Sequence, residues 1–281
     1  EHFLETAWLA DGATLVFALT WGAWALRQLP VAWFRRLRWV GAGVVLVNLV
    51  VALGQAQTQG VASWRSVTCT GLMGMDRFLG ATGVGWFPML AAWSPWLGAA
   101  SIGLVVLSGK LVAWVGLIVA WMVWRPPPRP WRWTIGLAGL VAAWHLTTGS
   151  RMAQIEQRLL TWLHTGFASL AHPVVGWGFG PFSEAPISDY GYHLPSIHAD
   201  WLSLAYHAGW PVCLGVGWLV WRTLHQAPRS QEGRALRAAL AGVLVMACGQ
   251  SLLGHARIVG ILVVWWVWLL AEKEPELHAH A

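Results

Sequence analysis

Apolar runs that approach or exceed the length needed to cross about 30 Å of hydrocarbon recur from one end of this sequence to the other. They fall near Gly12 to Leu26, Trp39 to Leu53, Ala99 to Trp124, Trp133 to Leu146, Trp201 to Trp221, Ala238 to Leu253 and Ile258 to Ala271. Such a chain is expected to be all-α, because only a helix satisfies its backbone amides within its own segment where no water is at hand. The expected fold is a polytopic transmembrane helical bundle of about seven spans. Gly80 to Ser108 is apolar too, but Pro88 and Pro95 interrupt it, which leaves open a spanning helix, a re-entrant segment or an interfacial hairpin. The layout leaves Gly80 to Pro95 uncrossed, and a three-span version of this region also fits.

Composition excludes a soluble globular protein: charged residues make up 11% and mean hydropathy is +0.53, where a soluble domain carries about a quarter charged residues. Twenty-four tryptophans against three tyrosines suit a chain that meets the membrane interface many times, since an indole has an apolar body and one polar N–H. Cys69, Cys213 and Cys248 are odd in number and far apart, which fits neither a disulfide framework nor a zinc site. The formal charge of +6 is therefore read as topology and not as a nucleic-acid footprint.

The arginines set the parity. Arg27, Arg35, Arg36 and Arg38 follow the first span; Arg125, Arg129 and Arg132 the third; Arg222, Arg229, Arg234 and Arg237 the fifth. These loops are expected in the cytoplasm together with the tail 272–281, which puts the N-terminus outside and the C-terminus inside. No signal peptide is legible, and because the sequence opens on Glu1 its true start is expected upstream.

The longest connection, Thr147 to Asp200, then lies outside and carries most of the polar chemistry, including His164, His172, His193 and His198. Loops this long are more often functional than connective. Met152 to Ala168 reads as an amphipathic helix against the membrane surface, and the glycine- and proline-rich stretch after it as ordered irregular backbone.

Arg151 and Arg158, seven residues apart, share a helical face and could grip a diphosphate bidentately, or else snorkel to headgroups or pair with Glu156. His198 at the mouth of the fifth span could act as a general base, with Asp200 either orienting it or capping the following helix. His207 reads as a hydrogen-bonded interior histidine. Gly176, Gly178 and Gly180 in GWGFGPF could bring backbone close to a ligand, although a turn needing positive φ is the better reading of the residues alone. Lys110 is either a charge at bilayer depth or part of a short Ser108-Gly109-Lys110 loop. Cys69 is either an interfacial nucleophile or an inert thiol.

Taken in order, TGSR (Thr148 to Arg151), RLLTW (Arg158 to Trp162), HPVVGWGFGPF (His172 to Phe182) and the stretch from His198 to Gly209 resemble the O-antigen ligase and O-antigen polymerase family of membrane glycosyltransferases. The likeness covers residues 133–271, with 1–132 as a separate N-terminal transmembrane region. Ala199 and His207 depart from the family pattern, which has a polar and often an acidic residue at those places. The resemblance implies a transferase of the bacterial inner membrane that needs no metal or other cofactor. It would move a glycan from an undecaprenyl-diphosphate carrier to a hydroxyl on a lipid, a glycan or a protein. It implies Arg151 and Arg158 on the diphosphate and His198 on the acceptor, with Trp162, Gly176, Gly178, Gly180 and Asp200 lining the substrate site. Arg257, placed by topology alone, would be an auxiliary phosphate contact.

Two rivals stand beside it. Cys69, followed later by Arg151 and by His164 or His198, resembles the exosortase transpeptidases. A tryptophan-rich bundle could instead serve without chemistry as a membrane subunit of a larger assembly. A transporter fits least, because only Lys110 is a plausible mid-membrane charge and no repeated half is visible.

Overall fold

The computed structural model describes residues 24, 28, 31–58, 69–73, 76–126, 136–137, 139, 141, 152–178, 197, 199–250, 252 and 256–278. The expected spans Gly12 to Leu26 and Trp133 to Leu146 lie almost wholly outside these residues, and Arg151, His198 and the whole stretch from 179 to 196, with Gly180, lie outside them altogether. The described chain is all-helical: α1 (Val31–Thr58), a 3-10 turn (Gly71–Met73), α2 (Asp76–Trp93), α3 (Pro95–Ser108), α4 (Leu111–Trp124), α5 (Met152–Ala171), α6 (Asp200–Ala208), α7 (Trp210–His225), α8 (Gln231–Ala247) and α9 (Ala256–His278).

Among the described residues one helix is long and apolar enough to cross a membrane by length and composition, Arg36–Thr58 within α1. Pro95–Ser108, Leu111–Trp124 and Ile261–Glu272 are apolar but shorter. Seven spans are thus not supported, and two of the expected ones are broken by glycine. Ala99 to Trp124 is two helices, because Gly109 takes the left-handed conformation (φ 59°) and closes α3 with its N–H on the Val106 carbonyl, while Lys110 is extended. At 14 residues each, α3 and α4 are about 21 Å long. Trp201 to Trp221 likewise splits at Gly209 (φ 86°, ψ 162°), which ends α6 and opens α7. At the C-terminal end, α9 continues through 272–278, so most of the expected tail is helical.

The segment the sequence reading left uncrossed is the centre of the bundle. Every residue of α2 from Phe78 to Leu90 is buried, with α1, α3, α4 and α8 packed around it. Small residues make this possible, because they let helix backbones approach closely. A Cβ on Gly83 would stand 2.6 Å from the Ser101 carbonyl oxygen of α3, and one on Gly85 would stand 1.9 Å from the Trp265 ring of α9. The Trp86 ring occupies the matching notch over Gly41 of α1, and the two indoles meet edge to face at 5.6 Å. Pro88 stays inside the helix. Pro95 opens α3 instead of breaking it: Ser94 is extended (φ −148°, ψ 127°) and Pro95 takes the first helical position, where its missing N–H costs nothing. Helices α2 and α3 therefore form a tight hairpin. The backbones of α4 and α8 also approach closely: a Cβ on Gly116 would stand 2.8 Å from the Gly242 carbonyl oxygen, and one on Gly242 would stand 2.7 Å from that of Gly116.

The two ends of the bundle differ in charge. At one end Arg38 pairs with Glu232 at 3.1 Å, and Trp39 packs on Trp93 at 4.2 Å. These contacts bring the starts of α1 and α8 to the end of α2, where Arg36, Arg125, Arg222, Arg229 and Arg234 also flank helix termini. Arg27, Arg129 and Arg132, expected on the same side, lie outside the described residues. At the opposite end Lys110 pairs with Asp76 at 2.8 Å, so the lysine belongs to a loop and not to the middle of a span.

That opposite end also takes in a non-helical segment. The amides of Thr70 and Gly71 both donate to Gln55 Oε1 (2.9 and 3.0 Å), Leu72 donates to Asn48 Oδ1 (2.9 Å), and Cys69 donates to the Leu107 carbonyl (2.9 Å). Irregular backbone can enter an apolar bundle only if each amide finds such an acceptor. Asn48 and Gln55, seven residues apart on α1, supply three of the four.

Candidate functional site: the α5 helix and the glycine interlock

Helix α5 inverts the amphipathic rule of soluble proteins. Thr161, Thr165 and Ser169, spaced by four and so on one face, are buried, whereas Leu159, Leu163, Phe167 (71% exposed) and Leu170 are exposed. The buried hydroxyls are satisfied locally: Thr165 donates to the Thr161 carbonyl at 2.7 Å, and Ser169 donates to Gly166 O while accepting from Trp210 Nε1 at 3.2 Å. The helix expected over Met152 to Ala168 is present. Arg158 stands half-buried on it, one turn before Trp162, whose Nε1 donates to the Ile197 carbonyl at 3.0 Å.

Beyond α5 the chain from His172 to Gly178 locks onto the α6–α7 junction. Trp177 N–H donates to Tyr206 O (2.8 Å), Gly178 N–H to His207 O (3.0 Å) and Trp210 N–H to Pro173 O (2.8 Å). Two glycines make the contact possible from both sides. Gly176 (φ 67°) would bring a Cβ 2.4 Å from the His207 carbonyl oxygen, and Gly209 would bring one 2.2 Å from that of Val174. Positive φ, the preferred sequence reading of the glycine-rich stretch, holds at Gly176 and Gly178.

The interlock assembles rings. His172 meets Trp177 edge-on at 4.3 Å, Trp177 stacks near-parallel to Tyr206 at 6.0 Å, and Tyr206 meets His207 edge-on at 5.1 Å. His207 Nδ1 lies 2.8 Å from the Gly178 carbonyl. A carbonyl only accepts, so Nδ1 carries the proton and Nε2 is the basic nitrogen of the neutral ring. The hydrogen-bonded histidine expected at 207 is therefore found, half-buried at the rim of an aromatic shelf.

Asp200 is not the helix cap that the sequence allowed, and its other expected role, orienting His198, involves a residue outside the described ones. Ala199 holds the N-cap position, and Asp200 is the first residue of α6, where its carboxylate accepts the Leu252 N–H at 2.6 Å. It ties α6 to the chain between α8 and α9. A negative charge in the first helical turn is favourable there in any case. Arg257 lies in the first turn of α9, close in sequence to this tie.

The structure thus brings Trp162 to residue 197, Asp200 to Leu252, and Gly176 and Gly178 to His207, all on or beside the α5–α6–α7 unit. Sequence reasoning missed the Tyr206–Trp177 stack and the acceptors Asn48 and Gln55. Asn48 was the findable one, as the lone polar side chain between Trp39 and Gly54.

Cys69 is fully buried, and burial pushes its thiol above the usual range. Less thiolate forms at a given pH, which is the opposite of what a nucleophile needs. Alkylation by iodoacetamide at pH 8, followed by peptide mass spectrometry, is expected to run at least about tenfold slower at Cys69 in the folded chain than after unfolding. Equal rates would restore the thiol as a reactive group.

No protein-family model matches the chain, and no curated protein matches it.

Proposed function

We propose that the chain is a multi-pass protein of the bacterial inner membrane with its arginine-rich end in the cytoplasm. In this reading it transfers a glycan from an undecaprenyl-diphosphate carrier to a hydroxyl acceptor on the outer face. The observation that carries the reading is the make-up of α5: one helix presents an exposed apolar stripe, Leu159, Leu163, Phe167 and Leu170, together with Arg158. A lipid-linked diphosphate needs both at once, an apolar track for the polyprenyl chain and a permanent cation at headgroup height.

In the proposed reaction the acceptor oxygen bonds to the anomeric carbon as the bond from that carbon to the diphosphate oxygen breaks. The acceptor proton passes to an imidazole, assigned to His198, and the departing diphosphate is held by Arg151 and Arg158. Transfer in membranes supplied with an undecaprenyl-diphosphate glycan pool tests this at matched expression. Arg158→Ala is expected to lower the rate roughly thirtyfold, the loss of one charge-assisted contact of about 2 kcal/mol, and His198→Ala is expected to lower it as well. No transfer by the unaltered protein to lipid, glycan or protein would overturn the reading.

A second reading, a non-catalytic membrane subunit, draws on α7. That helix exposes Val212, Leu214, Trp218, Leu219 and Trp221 and packs only lightly on α8. Purification in a complex of fixed stoichiometry that covers α7 would favour it.

A further inference from the structure

The basic end of the bundle holds a cavity of about 160 Å³ that the transfer chemistry does not use. Arg38, Gln231 and Glu232 form its polar wall, and Met89, Leu236 and Trp268 are among its apolar lining. Its size is well below the roughly 300 Å³ at which pockets for drug-sized ligands begin, which suits a headgroup-sized moiety. From these features we infer that the cavity binds the headgroup of a zwitterionic phospholipid with a primary ammonium, the phosphodiester against Arg38 and the ammonium against Glu232.

Charge is the first argument. The wall carries one guanidinium and one carboxylate, 3.1 Å apart and each about a quarter exposed (28% and 26%). A purely anionic ligand would gain the arginine and meet the carboxylate. A zwitterion replaces one ion pair by two, its ammonium has N–H groups for Glu232, and the indoles of Trp93 and Trp268 line the same cavity. A quaternary ammonium would keep the indoles but lack the N–H donors.

The rim supplies the second argument, because it continues into an apolar track. Trp93 lines the cavity and packs edge to face on Trp39, which is 68% exposed. Indoles favour the headgroup level of a bilayer. From Trp39 an exposed stripe runs along α1 through Leu46, Val50 and Leu53. At 100° per residue these four positions fall within about 60° of arc, and they span about 21 Å of helix. A headgroup seated at Arg38 and Glu232 would therefore leave its acyl chains along an apolar face. This commits the site to an intact lipid and not to a soluble phosphate ester.

Native mass spectrometry of the full chain in detergent decides it, using phosphatidylethanolamine, phosphatidylglycerol and phosphatidylcholine with identical acyl chains. Phosphatidylethanolamine is expected to bind at least about tenfold more tightly than the other two. Arg38→Gln and Glu232→Gln are each expected to weaken it by about tenfold, the worth of one charge-assisted hydrogen bond. The comparison among lipids uses the unaltered protein, so it stands even if a variant fails to fold. Equal retention of the three lipids would overturn the inference, as would tighter phosphatidylglycerol binding that survives Glu232→Gln. Displacement of the lipid by an equal concentration of free phosphoethanolamine would overturn the assignment to an intact lipid. The experiment involves no glycan transfer, so its result is independent of that reading.

Discussion

Replacing Gly85 by alanine is expected to lower the thermal unfolding midpoint of the detergent-solubilised protein by about 10 °C, a destabilisation of about 4 kcal/mol. The added methyl would stand 1.9 Å from the far edge of the Trp265 ring, a distance no carbon pair tolerates. Trp265 has little room to withdraw. It is 1% exposed, and Trp86 blocks it edge-on at 5.6 Å while that ring is itself seated over Gly41. One methyl therefore disturbs a chain of contacts joining α1, α2 and α9. Gly43→Ala provides the control, because nothing lies within 4 Å of a Cβ there. In mid-helix it is expected to be neutral or to stabilise by up to about 1 kcal/mol. Circular dichroism melts of the two variants side by side give the comparison, and equal midpoints would show that the Trp86–Trp265 pair yields freely.

Gly209→Ala is expected to cost about 3 kcal/mol, concentrated at the α6–α7 junction. Two independent penalties meet there. The backbone angles, φ 86° and ψ 162°, belong to a region that residues with a Cβ hardly visit. The methyl would also press on the Val174 carbonyl oxygen at 2.2 Å. That carbonyl is backbone, in the segment fixed by hydrogen bonds from Trp177 to Tyr206 and from Trp210 to Pro173, so it cannot swing aside as a side chain tip would. The segment from His172 to Gly178 should leave its seat before the bundle melts. Amide hydrogen exchange is the direct readout: Trp177, Gly178 and Trp210 are expected to lose protection while α2 and α8 keep theirs. Unchanged protection at those three amides would refute the interlock.

Much of the local structure was legible because it follows from short-range chemistry. The pattern from Met152 to Ala168 predicts a helix and one is found, with Leu159, Leu163, Phe167 and Leu170 exposed along it. Part of the arginine grouping expected from the sequence is found at the end where Arg38 meets Glu232 and Trp39 meets Trp93. His207 reads as a hydrogen-bonded interior histidine, and the hydrogen bond is found at a half-buried position. Of the two roles open to Asp200, the cap is not the one found, because an aspartate before an apolar run looks the same whether it caps its own helix or accepts an amide from Leu252, fifty-two residues away. Lys110 was ambiguous for a related reason: its partner Asp76 lies thirty-four positions earlier, beyond any local pattern.

By itself the sequence determined an apolar chain that is helical throughout its described residues, since hydropathy and periodicity are properties of neighbouring residues. The glycines had to wait for the tertiary structure. Gly83 and Gly109 both fall within long, largely apolar stretches, the second between Ser108 and Lys110, yet the first continues a helix and the second ends one. Gly83 is needed because the Ser101 carbonyl of α3 approaches within 2.6 Å of its missing side chain; Gly109 is needed because the chain turns there with φ 59°. A glycine permits both uses, and which one it serves depends on what another part of the chain brings alongside. That is why α2, interrupted by proline and rich in glycine, proved to be the core, and why an apparent single span became two helices.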